Sequence, residues 1–144
     1  MTKNLPSDIK PLRRIVVRDN AEGTRSHALC DAPSSDVHLD PARPGYAATR
    51  MWVTNATPAR IENETLHKPH TIEPPRAGSL CRFLQIPPDD EWRGKVGSKE
   101  VVAYFAGMGS PGASTYSGAA PHPYMQKTRS LDFASTPMRP TQPG

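Results

Sequence analysis

The sequence predicts a mainly β domain with one short helix and long proline-rich loops. Several short runs are rich in apolar and β-branched residues and are bounded by turn-forming clusters, which is typical of strands. Only the segment 99–108 repeats its apolar residues at the helical period. Seventeen of the 144 residues are proline, more than double ordinary usage. Because proline is confined to turns, helix starts and strand edges, we expect a thin core and many loops.

Two strands near the N-terminus are predicted to form a hairpin. Residues 12–17 and 26–30 flank the sequence Asp-Asn-Ala-Glu-Gly, whose residues favour turns. A further strand is predicted over 48–53. Another is predicted over 80–86, where both alternating faces are mostly apolar, so we expect it to be interior and to end at Pro87.

The stretches between these strands are predicted to be loops. Residues 31–45 contain four prolines or glycines, and residues 55–78 form a longer irregular excursion with four more prolines. A loop of that length in a compact domain usually covers a site or an interface.

One amphipathic helix is predicted from the apolar residues at its helical period, which are Val101, Tyr104, Phe105 and Met108. Ser98 is a good N-cap, and Gly107 or Gly109 can provide the left-handed C-cap. Residues 107–112 match the pattern G-x-G-x-x-G, but a dinucleotide site requires a helix that begins at the glycines. Here the helix precedes them, so we expect a helix-terminating loop that binds neither nicotinamide nor flavin nucleotides.

The charge of this chain does not predict nucleic-acid binding. The formal net charge is +4, yet Lys and Arg are scattered, and the densest basic run covers only residues 10–14. A nucleic-acid-binding surface typically has a basic stripe interleaved with aromatic residues. We therefore expect a solvated basic surface.

The two cysteines, Cys30 and Cys81, are too few for a disulfide framework. Each lies in an apolar run, so both are expected to be buried, inert and without a nucleophilic role. The sequence has no apolar signal region and no run of apolar residues long enough to span a membrane. We therefore expect a cytoplasmic protein without a membrane partner.

The histidines alone do not predict a metal site. His67 and His70 are three residues apart, but they lie in a polar loop broken by proline. A metal site needs three or four ligands on an ordered scaffold, so a solvated loop is the favoured interpretation. His27 and His38 have no companion pattern and are expected at the surface.

Three segments carry a resemblance to a known family: M-W-V-T-N-A-T-P-A (51–59), G-S-L-C-R-F-L-Q-I-P-P-D-D-E-W (78–92) and P-H-P-Y-M-Q-K-T-R-S-L-D-F (121–133). Together they resemble a branch of the cupin superfamily, small single-barrel proteins of bacteria and filamentous fungi often found in secondary metabolism. The resemblance runs from about residue 14 to 133 and implies an incomplete jelly-roll-like barrel. Its second motif, with a late histidine, does not follow. The implied organisation is a flexible arm over 1–11, a partial cupin-like domain over 12–133 and a disordered tail over 134–144.

The resemblance also implies candidate site residues. Cupins commonly bind a divalent metal through histidines and a glutamate from two motifs, and here His122 and Asp132 are the corresponding metal or catalytic candidates. Gln126 stands where many relatives have a histidine, so we expect no divalent metal and no other cofactor. The substrate pocket is expected to include Trp52, Phe83 and Tyr124.

Three functional hypotheses follow. The resemblance implies an enzyme that acts on a small organic metabolite by oxidation, isomerisation or elimination. The alternative is a catalytically silent fragment that acts as an interaction or regulatory partner of a full-length relative. A third hypothesis is that the final residues arise from an incorrect reading frame. Because an incomplete barrel leaves an open sheet edge, we also expect self-association or pairing with such a relative.

Overall fold

The computed structural model describes residues 4–136 and is mainly β, as the sequence predicts. Its antiparallel strands form a two-stranded sheet, β1-β2, and a three-stranded sheet, β3-β4-β5. Within the described residues these strands do not close into a barrel. The strands are β1 (Arg13–Asp19), β2 (Ser26–Pro33), β3 (Val37–Leu39), β4 (Ala47–Val53) and β5 (Leu80–Gln85). The helical elements are α1 (Ser98–Gly107) and 3-10 turns at Asp89–Glu91, Arg93–Lys95 and Pro111–Ala113.

The predicted hairpin is confirmed. β1 and β2 pair in antiparallel register from Arg13 opposite Pro33 to Asp19 opposite Ser26. In the turn, Oδ1 of Asn20 accepts a hydrogen bond of 2.9 Å from the N–H of Thr24. This side chain to backbone bond is how asparagine favours turns. Most side chains of both strands are exposed, so the hairpin contributes little to the apolar core.

The strand predicted over residues 80–86 is present as β5, but the prediction that it is interior is wrong, because the central strand is β4. β4 pairs with β3 on one side and with β5 on the other, and β5 is an edge strand. Phe83 is 53% exposed and Leu84 is 51% exposed. Apolar residues on both faces therefore mark an exposed edge here. Cys81 is likewise exposed, contrary to the expected burial, whereas Cys30 is half-buried.

β3 lies within residues 31–45, which were predicted to be loop. It is only three residues long and lies between Pro33 and Pro41, so its sequence carries little strand signal. Val37 pairs with Thr49 and Leu39 pairs with Ala47. The tertiary pairing with β4, which local sequence does not encode, is what makes this segment a strand.

The predicted helix is confirmed as α1. The N–H of Gly97 donates a 3.0 Å hydrogen bond to the carboxylate of Glu100, so Gly97 takes the N-cap position expected for Ser98. Within residues 4–136 no helix is both long and apolar enough to cross a membrane.

The main core lies between α1 and the β3-β4-β5 sheet. Val101 and Phe105 of α1 are fully buried in it. The other buried members are Tyr46, Ala48, Ile72, Trp92, Met108, Ala113 and Tyr124.

Residues 121–133, which carry part of the cupin resemblance, do not form a strand. They contain turns, and their pairing is a single bridge between Ser114 and Gln126. Pro121 and Pro123 remove two backbone donors, which opposes a continuous ladder. Residues 134–136 are exposed, and the rest of the expected disordered tail lies outside the described residues.

Part of the expected flexible arm is attached to the sheet. Ile9 is buried against Val37 and Ala47. The side-chain amide of Gln85 donates a 2.6 Å hydrogen bond to the carbonyl of Asp8. Residues 1–3 of the arm lie outside the described part of the chain.

Three arginines are buried, although the sequence suggested that the basic residues form a solvated surface. Arg14, Arg43 and Arg50 are each at most 6% exposed. The guanidinium of Arg14 donates a 2.9 Å hydrogen bond to the carboxylate of Glu64 and joins the hairpin to the excursion. That hydrogen bond is the main reason why the pKa of Glu64 falls to about 2.

Arg43 lies among aromatic rings of the core. Its guanidinium carbon is 3.5 Å from the ring centroid of Tyr124 and 3.8 Å from that of Tyr46. Its Nε is 2.7 Å from Oδ2 of Asp40, which is also buried. Cation–π contacts and a buried ion pair therefore take part in a core that has few aliphatic residues.

Candidate functional site

Asp36 brings two histidines together at the start of β3. Its backbone carbonyl accepts a 3.0 Å hydrogen bond from the N–H of Arg50, which extends the β3-β4 pairing by one residue. Because Asp36 and His38 are two residues apart in extended chain, their side chains lie on the same face. Oδ1 of Asp36 is 3.1 Å from Nε2 of His38 and 3.0 Å from Nδ1 of His70. We call Asp36, His38 and His70 the Asp–His cluster.

Arg50 binds residues 66–69 of the excursion and holds them against β4, next to His70. The side chain is 1% exposed, and its guanidinium donates to the carbonyls of Leu66, Lys68 and Pro69 at 2.9, 2.7 and 2.8 Å. Its Nε is 2.5 Å from Oδ2 of Asp36. A planar guanidinium with several fixed donors suits this arrangement better than the ammonium of lysine. One side chain of β4 thereby positions both the carboxylate and the loop of the second histidine.

Residues that follow α1 contact the excursion at His70 and Ile72. Gly109 has a φ of 62°, and a Cβ at this position would lie 2.1 Å from the carbonyl oxygen of His70. The N–H of Ile72 donates a 2.9 Å hydrogen bond to Oγ of Ser110. His70 is therefore fixed between β4 and the C-terminal end of α1.

The cluster combines an ionised carboxylate with a neutral imidazole. Burial opposes ionisation of Asp36, but hydrogen bonds from His38 and His70 and the charge of Arg50 outweigh it, so the pKa of Asp36 lies well below its usual range. Burial lowers the pKa of His70. The imidazole centroids of His38 and His70 are only 3.7 Å apart, a separation at which two protonated rings would repel.

A groove of about 550 Å³ lies between α1 and residues 38–42. We call it the α1 groove. Its walls are mostly apolar, and its lining also includes Glu100 and Tyr104. His38 lines the groove and also belongs to the Asp–His cluster. The groove and the cluster are therefore adjacent.

The sequence-predicted candidates His122 and Asp132 lie elsewhere. Nδ1 of His122 accepts a 3.1 Å hydrogen bond from the N–H of Tyr124, and its ring meets that of Trp92 edge-on at 5.5 Å. Asp132 is exposed and accepts a 2.9 Å hydrogen bond from Ser130. Among residues 4–136, the group with metal-ligating geometry contains neither of them.

The three predicted pocket residues occupy different parts of the fold. Tyr124 is buried in the main core. Trp52 borders a shallow groove of about 370 Å³ between β1 and β4, where Arg14 approaches its ring at 6.0 Å. Phe83 is exposed on the edge strand β5. The ring of Tyr124 lies 6.3 Å from that of His122, so these two candidates are brought together.

One feature of the sequence indicates part of the cluster, namely the spacing of its first two residues. Asp36 and His38 have the two-residue spacing that places side chains on one face of a strand. The four prolines and glycines of residues 31–45 mask this signal, because they favour a loop over a strand. His70 could not be assigned from sequence, since its position depends on the contacts of Arg50 and Gly109.

Comparison with known proteins does not extend the assignment. No protein-family model, no curated protein and no solved structure matches this chain. The cupin resemblance therefore stays a hypothesis, and function has to be argued from the site.

Proposed function

We propose that this chain binds a small, mostly apolar organic molecule in the α1 groove. The groove carries the proposal, because its volume of about 550 Å³ lies within the roughly 300–1,000 Å³ of ordinary small-molecule sites. The ligand class agrees with the small metabolite that the resemblance implies, but the location differs from Trp52, Phe83 and Tyr124. Oxidation, isomerisation or elimination of the bound molecule is a further proposal that the resemblance alone supports.

The polar groups of the groove define the kind of ligand. Leu39, Pro41 and Ala103 provide apolar contact, and among residues 4–136 the lining contains Asp40 and Glu100 but neither lysine nor arginine. Tyr104 also lines the groove, and its hydroxyl is 2.6 Å from that of Tyr46. This lining favours a neutral or cationic molecule with a hydrogen-bonding group over an anion.

The groove can be tested with a substitution that fills it. Ala103 is exposed and lines the groove, so Ala103→Arg should obstruct the site without disturbing the core. Binding of 1-aminoanthracene, a neutral aromatic probe that fluoresces in apolar sites, should weaken by about tenfold or more. A fluorescence titration measures this change.

The matched control is Ala106→Arg, an exposed position on the same helix that does not line the groove. It should bind the probe like the wild type. Equal binding by the Ala103→Arg variant, or equal loss in both variants, would rule out this groove as the site.

A second candidate function is self-association through β5. Among residues 4–136, β5 pairs only with β4, and its exposed side chains include Phe83 and Leu84. An exposed apolar edge strand is a template for pairing with another chain. We propose that two copies pair their β5 strands about a twofold axis, because such an interface uses the same surface on both copies and is closed.

Self-association predicts a dimer that a charge on β5 removes. Leu84→Lys should shift the chain to a monomer, because lysine on an edge strand disfavours further pairing. Ile61→Lys is the control, since Ile61 is also exposed but lies in the excursion. Sedimentation velocity over a range of concentrations distinguishes the states. A wild type that stays monomeric throughout would exclude this function.

A further inference from the structure

We infer that the Asp–His cluster is a binding site for a divalent first-row transition metal, with Zn²⁺ as the closest fit. Its donors are one carboxylate oxygen and two imidazole nitrogens, and all three atoms lie within 4.8 Å of one another. Imidazole suits zinc, copper, iron and nickel, and carboxylate completes common mixed sites of this kind. The inference goes beyond the proposed ligand site and does not depend on an organic ligand in the α1 groove.

The distances in the cluster are close to those of a coordination sphere. Metal–ligand bonds of about 2.0–2.2 Å separate the ligands of a tetrahedral ion by about 3.4 Å. The observed separations from Oδ1 of Asp36 are 3.1 Å to His38 and 3.0 Å to His70. Both separations are shorter than this by about 0.3–0.4 Å, so the side chains must rotate apart to admit the ion.

The surroundings of the cluster hold its ligands in place. Arg50 contacts the second carboxylate oxygen of Asp36 and leaves Oδ1 for the ion. The same arginine and the close approach of Gly109 fix the backbone around His70. Groups that orient ligands in this way support metal affinity.

Three protein ligands leave a fourth position open, as in catalytic zinc sites. The side chains of Asp36 and His70 are 11% and 9% exposed, whereas that of His38 is 31% exposed. His38 also lines the α1 groove. The open position is therefore on the side of His38, where water or a ligand in the groove can reach the ion.

Two features reduce the affinity. The positive charge of Arg50 opposes the charge of the ion. Coordination through Nδ1 of His70 moves the ring proton to Nε2, which is buried without an acceptor among the described residues. We therefore expect binding in the micromolar range, weaker than that of closed structural zinc sites.

This inference differs from the expectation that the chain holds no metal. That expectation rested on His122, Gln126 and Asp132, none of which belongs to the Asp–His cluster. The cluster uses His38 and His70, which the sequence assigned to the surface and to a solvated loop.

The test uses the full chain with Zn²⁺ in calorimetry and Co²⁺ in visible absorption spectroscopy. We expect one ion per chain and a cobalt spectrum of low coordination number. His38→Gln should weaken binding by more than about 100-fold, because it removes a ligand and not only a supporting contact. His67→Gln is the matched control, since His67 is exposed on the same excursion as His70 and lies outside the cluster. It should bind like the wild type.

His70→Gln provides a second variant, and thermal unfolding without metal confirms that each variant folds. If His38→Gln does not fold, the Zn²⁺ titration of His70→Gln decides the question. Loss of Zn²⁺ binding by a folded His70→Gln variant supports the inference. Absence of binding by the wild type at about 1 mM Zn²⁺ overturns the inference. Unchanged binding by the His38→Gln variant, or equal loss in the His67→Gln variant, also overturns it. Loss of probe binding in Ala103→Arg with intact Zn²⁺ binding would separate the two sites.

Discussion

Replacing Arg50 with methionine is expected to destabilise this chain by about 3–5 kcal/mol, which is the usual cost of removing one partner from a buried ion pair. Methionine approximates the length of arginine, but it cannot donate to the carbonyls of the excursion and carries no charge to pair with Asp36. Three backbone carbonyls would lose their donors, and the carboxylate of Asp36 would lose its ion-pair partner. Because domains are stable by only about 5–15 kcal/mol, a large part of the stability would be lost. Chemical denaturation followed by tryptophan fluorescence measures the change.

Arg60→Met is the matched control, because Arg60 is exposed and lies in the same excursion. Its effect should stay within about 0.5 kcal/mol, as for ordinary surface positions. Arg50→Lys should recover only part of the loss, since an ammonium cannot reproduce the planar set of donors. If Arg50→Met and Arg60→Met unfold at the same denaturant concentration, Arg50 does not join the excursion to the sheet as described.

The elements that sequence predicted correctly are those encoded over short distances. The hairpin follows from two apolar runs around a turn whose Asn20 bonds its own backbone. Helix α1 follows from the helical period of its apolar residues, among them Val101 and Phe105. In each case the sequence signal lies within one short segment of the chain, and local propensity agrees with the tertiary structure.

The errors concern features that depend on distant contacts. Strand β3 exists because it pairs with β4, and its own three residues do not identify it. β5 has two apolar faces, which sequence alone cannot distinguish from those of an interior strand. The scattered basic residues suggested a solvated surface, yet Arg43 and Arg50 are buried. Arg43 contacts the ring of Tyr124 and Arg50 pairs with Asp36, and both partners are distant in sequence. The candidate site was missed for the same reason, since His70 reaches His38 only through the folding of the excursion.

Gly109→Ala is expected to have the second large effect, with a loss of about 3 kcal/mol or more. A left-handed backbone costs a non-glycine residue about 1–3 kcal/mol. In addition, the new Cβ would lie 2.1 Å from the carbonyl oxygen of His70. That oxygen belongs to backbone between the contacts of Arg50 and Ser110, so it cannot move away without breaking hydrogen bonds. Denaturant unfolding measures the loss, and nuclear magnetic resonance shifts of the imidazoles report movement of His70.

Gly107→Ala is the matched control and should have an effect of opposite sign. Gly107 is the last residue of α1, and among residues 4–136 no atom beyond its chain neighbours and its own helix backbone lies within 4 Å of a Cβ placed there. Alanine favours the helix over glycine by up to about 1 kcal/mol, so this variant should be as stable as the wild type or more so. The two substitutions add the same methyl group two residues apart, and only one of them meets the backbone of the candidate site. Equal stability of the two variants would show that α1 does not end against His70, and the proposed positioning of the Asp–His cluster would then be incorrect.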